Sequence, residues 1–297
     1  MKILEKFKNS ILANYLRKKT KELKFLHKNN WKIPDFFIYR NGNVIYLDWF
    51  EDRGRKVFLC EATGQRNIKN FLMNAIQEFK PTAFVDVGAN YGEMTFEFNY
   101  PKHIKTVLLV EANPNLHEFI LRSIGAHEDR TRIKLIPHLL TDAKNSNIKF
   151  TIDASNSGRS TASKIDLVKH PLEVTCNSLA FDDLLEELDE LDGLHRILFK
   201  IDVEGHEPIV LKGLYRLAIL GYELYGCIEF CTKSLILNSV NLFDYIETLD
   251  EYFHISVFSK SEIDALVYLE NCTFSLLCSY FGTEDIECDL ILKSKNV

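Results

Sequence analysis

From residue 83 onward, short apolar runs alternate with stretches of helical spacing, and this alternation limits the fold more than any other feature. The apolar runs are residues 83–87, 106–110, 133–140 and 197–203, and three of them precede a helical stretch. Strands joined through helices pair in parallel, because the crossover helices cover both faces of the sheet. The sequence therefore predicts an α/β fold: a Rossmann-like, mainly parallel sheet with helices on both faces.

The first 79 residues follow a different pattern. Apolar residues at helical spacing, separated by lysines, predict a basic helix over residues 1–28. The dipeptide Asn41-Gly42 lies between two apolar runs, as a hairpin turn does. We therefore expect an N-terminal helical and hairpin extension over residues 1–79 and an α/β domain over residues 80–297.

Charge also separates these two parts. The chain has a formal net charge of −6, yet residues 1–30 hold eight Lys and one Arg against two Glu. The acidic remainder argues against nucleic acid as a partner, because phosphate binding requires clustered cations. The basic helix leaves two interpretations open: peripheral contact of residues 1–28 with an anionic membrane, or a helix packed on the domain with its lysines in solvent.

The chain start and the cysteines bear on location. No apolar run is long enough to span a bilayer, and residues 1–6 lack the features of a secretory signal. The seven cysteines, an odd number without metal-type spacing, favour free thiols over disulfides or a zinc site. We therefore expect a cytoplasmic protein.

Residue types suited to a nucleoside cofactor follow the first predicted strand. Asp86 lies at the end of that strand. Gly88, Asn90, Tyr91 and Gly92 follow as a tight turn, in which glycine permits unusual dihedral angles and close approach of a ligand. This turn is the first part of a candidate cofactor site.

Acidic residues follow the next two strands. Glu111, with Ala112 beside it, comes 19 residues after Gly92, the spacing expected of a carboxylate that accepts ribose hydroxyls. Asp142 follows residues 133–140, where a carboxylate could accept an adenine amino group. Because ligands bind at the carboxyl ends of parallel strands, we expect these residues to share one cofactor site.

The charge of the turn distinguishes between two cofactors. NAD sites use G-x-G-x-x-G, but here Asn90 and Glu93 replace the second and third Gly. Asp86, Glu93 and Glu111 would repel a pyrophosphate, whereas they suit a cofactor that carries a sulfonium and an amine. The turn therefore favours S-adenosylmethionine over NAD.

Residues 197–207 place charges at the end of a predicted buried strand. By alternation Lys200, Asp202 and Glu204 share one face, and burying charges is costly unless they are paired or have a task. One interpretation is a structural Lys–carboxylate pair. The other is a reaction centre in which Asp202 or His206 is the general base for a hydroxyl acceptor. Three carboxylates are then candidates for orienting groups or for ligands of Mg2+: Glu204, Glu207 and Glu229.

Three segments carry a family resemblance: FVDVGANYG (84–92), VEANP (110–114) and LFKIDVEGHEPIVLKG (198–213). They resemble the FkbM family of S-adenosylmethionine-dependent methyltransferases over roughly residues 80–220, although the family often has Glu-Pro where this chain has Glu-Ala-Asn-Pro. The resemblance implies a class I methyltransferase domain that methylates a hydroxyl of a sugar, glycan or secondary metabolite. It gives cofactor-loop roles to Asp86, Gly88, Asn90 and Gly92, the ribose role to Glu111, and active-site positions to Asp202 and Glu204.

Two alternatives stay open at this point. A binding module could keep the fold without catalysis, but a scaffold has no need to bury Asp202 and Glu204. An NAD-dependent oxidoreductase is disfavoured by Asn90 and Glu93 in the turn.

Overall fold

The computed structural model describes residues 11–28, 30–59, 65–163, 168, 170–188 and 196–295. Within them, the N-terminal extension has the predicted helix and hairpin. Its elements are α1 (Ile11–Lys28), β1 (Phe36–Ile38), β2 (Val44–Tyr46), α2 (Asp52–Leu59) and α3 (Arg66–Glu78), and β1 pairs antiparallel with β2. Residues 1–10 of the predicted basic helix lie outside the described residues.

An eight-stranded sheet forms the centre of the molecule. Its strands, in spatial order, are β12 (Leu266–Leu269), β11 (Phe253–Phe258), β13 (Glu287–Ser294), β10 (Glu223–Cys231), β9 (Arg196–Ile201), β3 (Ala83–Val87), β4 (Thr106–Val110) and β5 (Ile133–Ile136). The five strands from β10 to β5 are parallel, whereas β13, β11 and β12 pair antiparallel. The prediction of an α/β fold with a mainly parallel central sheet is confirmed.

Helices cover both faces of this sheet. α3 and α4 (Pro114–Ala126) pack on one face; α5 (Glu207–Ile219), α6 (Thr232–Leu237), α7 (Leu242–Tyr252) and α8 (Phe274–Phe281) pack on the other. Because strand side chains alternate, Phe84 packs in the hydrophobic core under α3 and α4, and Val85 packs in the core on the opposite face of the sheet. The same alternation directs Asp86 to the face of α3 and α4.

The strand predicted over residues 133–140 is two strands in different sheets. β5 ends at Ile136, and β6 (Leu139–Thr141) pairs with β8 (Pro171–Ala180) in a small sheet that also contains β7 (Asn145–Asp153). Pro137 interrupts the strand because it has no N–H donor and a fixed φ. Asp142 therefore follows a strand of the small sheet and not of the central sheet.

The sequence pattern also predicts a helix over residues 93–98, an acidic helix over residues 181–191 and a strand over residues 274–278, and the structure differs at all three. Residues 93–97 form turns. The acidic helix predicted over residues 181–191 is a 3-10 helix at Asp182–Glu187, whose start has no capping side chain; residues 189–191 lie outside the described part. The strand predicted over residues 274–278 is the helix α8.

The helices and the cysteines bear on the expected location of the protein. No helix in the described part of the chain is long and apolar enough to cross a membrane. Six cysteines are free thiols, and Cys60 lies outside the described residues.

Candidate active site

The turn after β3 brings backbone N–H groups to the carboxyl end of the sheet. The amides of Gly88 and Ala89 both donate to the carbonyl of Val110, at 3.0 and 3.1 Å. Gly88 has φ +69°, and a Cβ there would overlap the carbonyl oxygen of Asp202. Asn90 also has a positive φ, of 53°, which Asn tolerates better than most residues. The turn can pass this close to β9 only because residue 88 has no side chain.

Glu111 is joined to this turn at the end of β4. One carboxylate oxygen accepts from the amide of Asn90 at 2.8 Å, and the other accepts from the amide of Asn113 at 2.7 Å. Burial raises the pKa of Glu111 to about 7, although the hydrogen bonds from these two amides lower it. Each carboxylate oxygen has a second lone pair. Glu111 can therefore be fixed by the backbone and still accept hydrogen bonds from a ligand.

Asp86 lies beneath the turn. Its side chain is fully buried, accepts from the Thr95 hydroxyl at 2.9 Å, and lies 3.5 Å from the ammonium of Lys200. Lys200 also lies 3.4 Å from the carboxylate of Asp202 and donates to the carbonyl of Gly88. Burial lowers the pKa of Lys200, but Asp202 and Asp86 outweigh it and keep the ammonium charged. Asp86 thus supports the site through Lys200.

Tyr91 and Gly92 shape the turn from behind. Tyr91 is buried with its ring edge-on to Phe119, and a Cβ on Gly92 would overlap the ring of Phe96. Asp142 lies apart from the other predicted cofactor residues. Its half-exposed carboxylate accepts from Lys212 at 3.0 Å, which lowers its pKa.

The second predicted segment forms a turn between β9 and α5. Glu207 is buried, and one of its oxygens accepts from the amides of Val203 and Gly205, at 3.0 and 3.2 Å. This carboxylate therefore closes the turn. Glu204 has φ 55°, an uncommon conformation for a side chain of this kind. Burial and the charge of Asp202 raise the pKa of Glu204 to about 8.

A third carboxylate comes from β10. Carboxylate oxygens of Asp202, Glu204 and Glu229 lie within 4.8 Å of one another. The charge of Asp202, followed by burial, raises the pKa of Glu229 to about 10. Asp289 is the cross-strand partner of Glu229 in the β10–β13 pairing, and burial raises its pKa to about 7. Carboxylates this close stay ionised together only when a cation compensates their charge. Without a cation, at least one of them binds a proton.

His206 completes the turn. Its Nδ1 lies 3.0 Å from the hydroxyl of Ser163, and its Nε2 is buried with no hydrogen-bond partner in the described part of the chain. Burial lowers the pKa of His206 to about 4, so the ring is neutral at neutral pH.

One cleft connects the two strand ends. It holds about 770 Å3 of space between protein atoms, part of it open to solvent. The predicted residues that line it are Gly88, Asn90, Glu111, Ala112, Asp202, Glu204 and His206; those that do not are Asp86, Tyr91, Gly92 and Asp142. Sequence reasoning missed other lining residues, among them Arg53, His138 and Phe150.

The two cations in the cleft wall are paired. Arg53 lies 2.7 Å from the carboxylate of Glu93, and Lys200 is held by Asp86 and Asp202. These are the Lys and Arg residues of the cleft lining among the described residues. The lining is therefore acidic overall, which suits a cationic ligand and disfavours a pyrophosphate.

A family model confirms the resemblance carried by the motifs. The methyltransferase FkbM domain matches residues 86–230, which contain the turn after β3, Glu111 and the β9–α5 turn. Residues 86–230 of this chain are thus a methyltransferase FkbM domain. The matched domain is one of methyltransferases and not of NAD-dependent oxidoreductases. A sequence search of the curated proteins gives no match.

Solved structures of methyltransferases resemble the chain at low identity. Methyltransferase FkbM from Methylobacillus flagellatus KT is 14% identical, with 80% of this chain and 52% of that chain covered and a TM-score of 0.40. The chain thus spans about half the length of that protein. A putative O-methyltransferase from Klebsiella pneumoniae is 12% identical, with 78% and 80% covered and a TM-score of 0.41.

The methyltransferase fold implies S-adenosylmethionine as methyl donor, and the cleft suits this molecule. Glu111 has lone pairs for a ribose diol, and the carboxyl groups of the lining complement a sulfonium and an amine.

Proposed function

We propose that this enzyme transfers a methyl group from S-adenosylmethionine to a hydroxyl of a sugar, glycan or secondary metabolite. One observation carries the proposal: a single cleft is lined by Glu111 at the end of β4 and by Asp202 and Glu204 after β9. A cofactor held at Glu111 and an acceptor held at Asp202 would share that cleft. Gly88, Asn90, Glu111 and Ala112 are the proposed cofactor contacts, and Asp142 is left out because its carboxylate pairs with Lys212 and does not line the cleft.

The protein's own task is to position the acceptor and to remove its proton. S-adenosylmethionine supplies a methyl group that its sulfonium already activates. A hydroxyl is a weak nucleophile until a base takes its proton, and a base is most efficient when its pKa lies near the working pH. Glu204, with a pKa of about 8, meets this condition, and Asp202 lies beside it. His206, with a pKa of about 4, is better suited to accept a hydrogen bond.

The proposal is tested with Asp202→Asn. We expect calorimetry to give nearly unchanged affinity for S-adenosylmethionine, because Glu111 and the turn are intact. Turnover of labelled methyl donor with hydroxylated acceptors should fall at least about 100-fold, as loss of a base does. Asp244→Asn, at an exposed position in α7, is the matched control. Folded wild-type protein that binds no S-adenosylmethionine would contradict the cofactor assignment, and full turnover in Asp202→Asn would remove Asp202 from the reaction.

Mg2+ is the proposed cation for Asp202, Glu204 and Glu229, because hard cations take carboxylate oxygens. Glu207 is not proposed as a ligand, since two backbone amides already hold one of its oxygens. We expect chelation to reduce turnover and added Mg2+ to restore it. Turnover that chelation does not change would argue that protons alone compensate these charges.

A cytoplasmic location and a small-molecule or glycan acceptor, without nucleic acid, complete the proposal. The free cysteines of the described residues support the location, since disulfides are rare in reducing compartments. The acidic cleft supports the exclusion of nucleic acid.

A further inference from the structure

Residues 161–163, which follow β7 in the chain, contact the turn between β9 and α5. Thr161 is fixed to β7 by two backbone hydrogen bonds with Thr151, each 2.9 Å long. Its hydroxyl lies 3.2 Å from the carbonyl of Val203 and 3.1 Å from that of Glu204, and can donate to either. The amide of Ser163 in turn donates to the Thr161 hydroxyl at 3.0 Å. The hydroxyl of Ser163 is therefore placed against the turn by the small sheet.

The contacts of Ser163 decide where His206 carries its proton. The Ser163 hydroxyl lies 3.2 Å from the carbonyl oxygen of Gly205 and 3.0 Å from Nδ1 of His206. A carbonyl oxygen only accepts, so the single hydroxyl proton goes to Gly205 when both contacts are made. The Ser163 oxygen must then accept from Nδ1, which places the ring proton on Nδ1. Nε2 is left as a bare acceptor.

In this tautomer, Nε2 is available to accept a hydrogen bond from a ligand. His206 is one of the residues that line the cleft, with Asp202 and Glu204, and its buried Nε2 has no partner among the described residues. A buried acceptor without a donor costs free energy, which a donor from the ligand would remove. We propose that Ser163 is a positioning residue that fixes His206 with its proton on Nδ1, so that Nε2 accepts the hydrogen bond of the acceptor hydroxyl in the bound complex, before a carboxylate takes that proton in the reaction. This inference rests on the proposed function.

The arrangement also distinguishes substrate from product. The acceptor hydroxyl can donate to Nε2, whereas the methyl ether that replaces it has no proton on that oxygen. The product would therefore leave Nε2 unpaired, which weakens its binding relative to the substrate. Hydroxylated acceptors should bind more tightly than their O-methylated products, and Ser163 should contribute to this difference.

The tautomer can be measured without any activity. In full-length protein labelled with 15N-histidine, long-range 1H–15N correlation distinguishes the protonated ring nitrogen from the bare one, and His206→Gln identifies the signal. We expect the wild type to carry the proton on Nδ1 at neutral pH. Ser163→Ala should move it to Nε2 in part or fully, and Ser163→Thr should restore it. Ser261→Ala, which removes an exposed hydroxyl, is the control.

A second measurement links the tautomer to the reaction. Ser163→Ala should bind S-adenosylmethionine like the wild type, turn over about fivefold to tenfold more slowly, and be rescued by Ser163→Thr. A wild-type proton on Nε2, or a Ser163→Ala signal identical to wild type, would overturn the inference, as would a moved proton with unchanged turnover. Absence of S-adenosylmethionine binding by the wild type would instead refute the proposed function and leave the tautomer result standing.

Discussion

Two features of the structure require glycine at position 88, and experiment can separate them. The φ of Gly88, +69°, is unfavourable for any residue with a Cβ, and that Cβ would also overlap the carbonyl oxygen of Asp202. Gly221 has the first feature alone, because its φ is +85° and nothing lies within 4 Å of an added Cβ. Gly125 in α4 has neither.

We therefore expect a graded series of alanine variants. Gly88→Ala should lower the free energy of unfolding by about 3 kcal/mol, from strain and overlap together. Gly221→Ala should lower it by about 1 kcal/mol, and Gly125→Ala should leave it unchanged or raise it slightly. Urea unfolding gives these values, and calorimetry should give weaker S-adenosylmethionine binding for Gly88→Ala alone. Equal losses for Gly88→Ala and Gly221→Ala would mean that β9 yields to the added methyl group.

At the residue scale, the sequence identified site residues that follow a strand directly. Glu111 could be predicted because it comes right after an apolar run, and Asp202 because it follows a run that only Lys200 interrupts. Asp142 was placed with them on the same rule, but Pro137 moves its strand to another sheet. Arg53 lines the cleft, and Ser163 contacts His206, only through long-range packing, so no local pattern indicates them.

α8 shows how capping can override an apolar run at the element scale. Residues 274–278 are mostly apolar and were predicted as a strand. The Thr273 hydroxyl, however, accepts from the amide of Leu276 at 3.2 Å, and Gly282 ends the helix with φ 75°. Both signals are present in the sequence, and eight residues lie between them.

We expect Thr273→Ala to lower the free energy of unfolding by about 1 kcal/mol, because the Leu276 amide loses its acceptor. Thr273 is exposed, so little packing is lost with its side chain. Thr248→Ala, at a partly exposed position within α7, is the control and should be neutral or slightly stabilising. Thermal and urea unfolding measure both. A neutral Thr273→Ala would show that packing alone holds the first turn of α8.

α1 bears on the two interpretations of the basic segment. Phe25 stacks on Trp49 with ring centroids 5.2 Å apart, and Glu22 lies 3.4 Å from Arg55 of α2. Phe25 and Glu22 thus face the protein in the C-terminal part of α1, whereas Lys21 and Lys24 are exposed. The described part of the helix therefore favours packing on the protein.

We accordingly expect no co-sedimentation of the full-length protein with neutral vesicles, and none with phosphatidylserine vesicles at physiological salt. Apolar residues that already pack on the protein cannot also insert into lipid, and lysines alone bind weakly at that ionic strength. Sedimentation with the anionic vesicles that is lost in a Lys21→Glu, Lys24→Glu variant would establish the membrane contact instead.

At the scale of the whole molecule, the fold collects acidic groups that are far apart in the sequence. Glu229 and Asp289 come from two strands beyond β9 and meet Asp202 at one end of the sheet. The motif at residues 200–207 indicates only part of this cluster, because strand order and the antiparallel register of β13 decide the rest. The pKa values of Glu204, Glu229 and Asp289 are all raised, to about 8, 10 and 7.

This cluster makes stability depend on pH in a definite direction. A carboxyl whose pKa is higher in the folded state than in the unfolded chain binds its proton more tightly when folded. Its contribution to stability is complete below the unfolded value, near pH 4, and is lost as pH rises through the folded value. In metal-free buffer, Tm should therefore fall between pH 5 and pH 8. Glu229→Gln should flatten the fall, because this position then takes up no proton on folding, whereas Glu262→Gln, at an exposed position, should not. A Tm that rises across this interval in the wild type, or an identical slope in Glu229→Gln, would mean that these carboxylates remain ionised in the folded protein, and a bound cation would then have to compensate their charge.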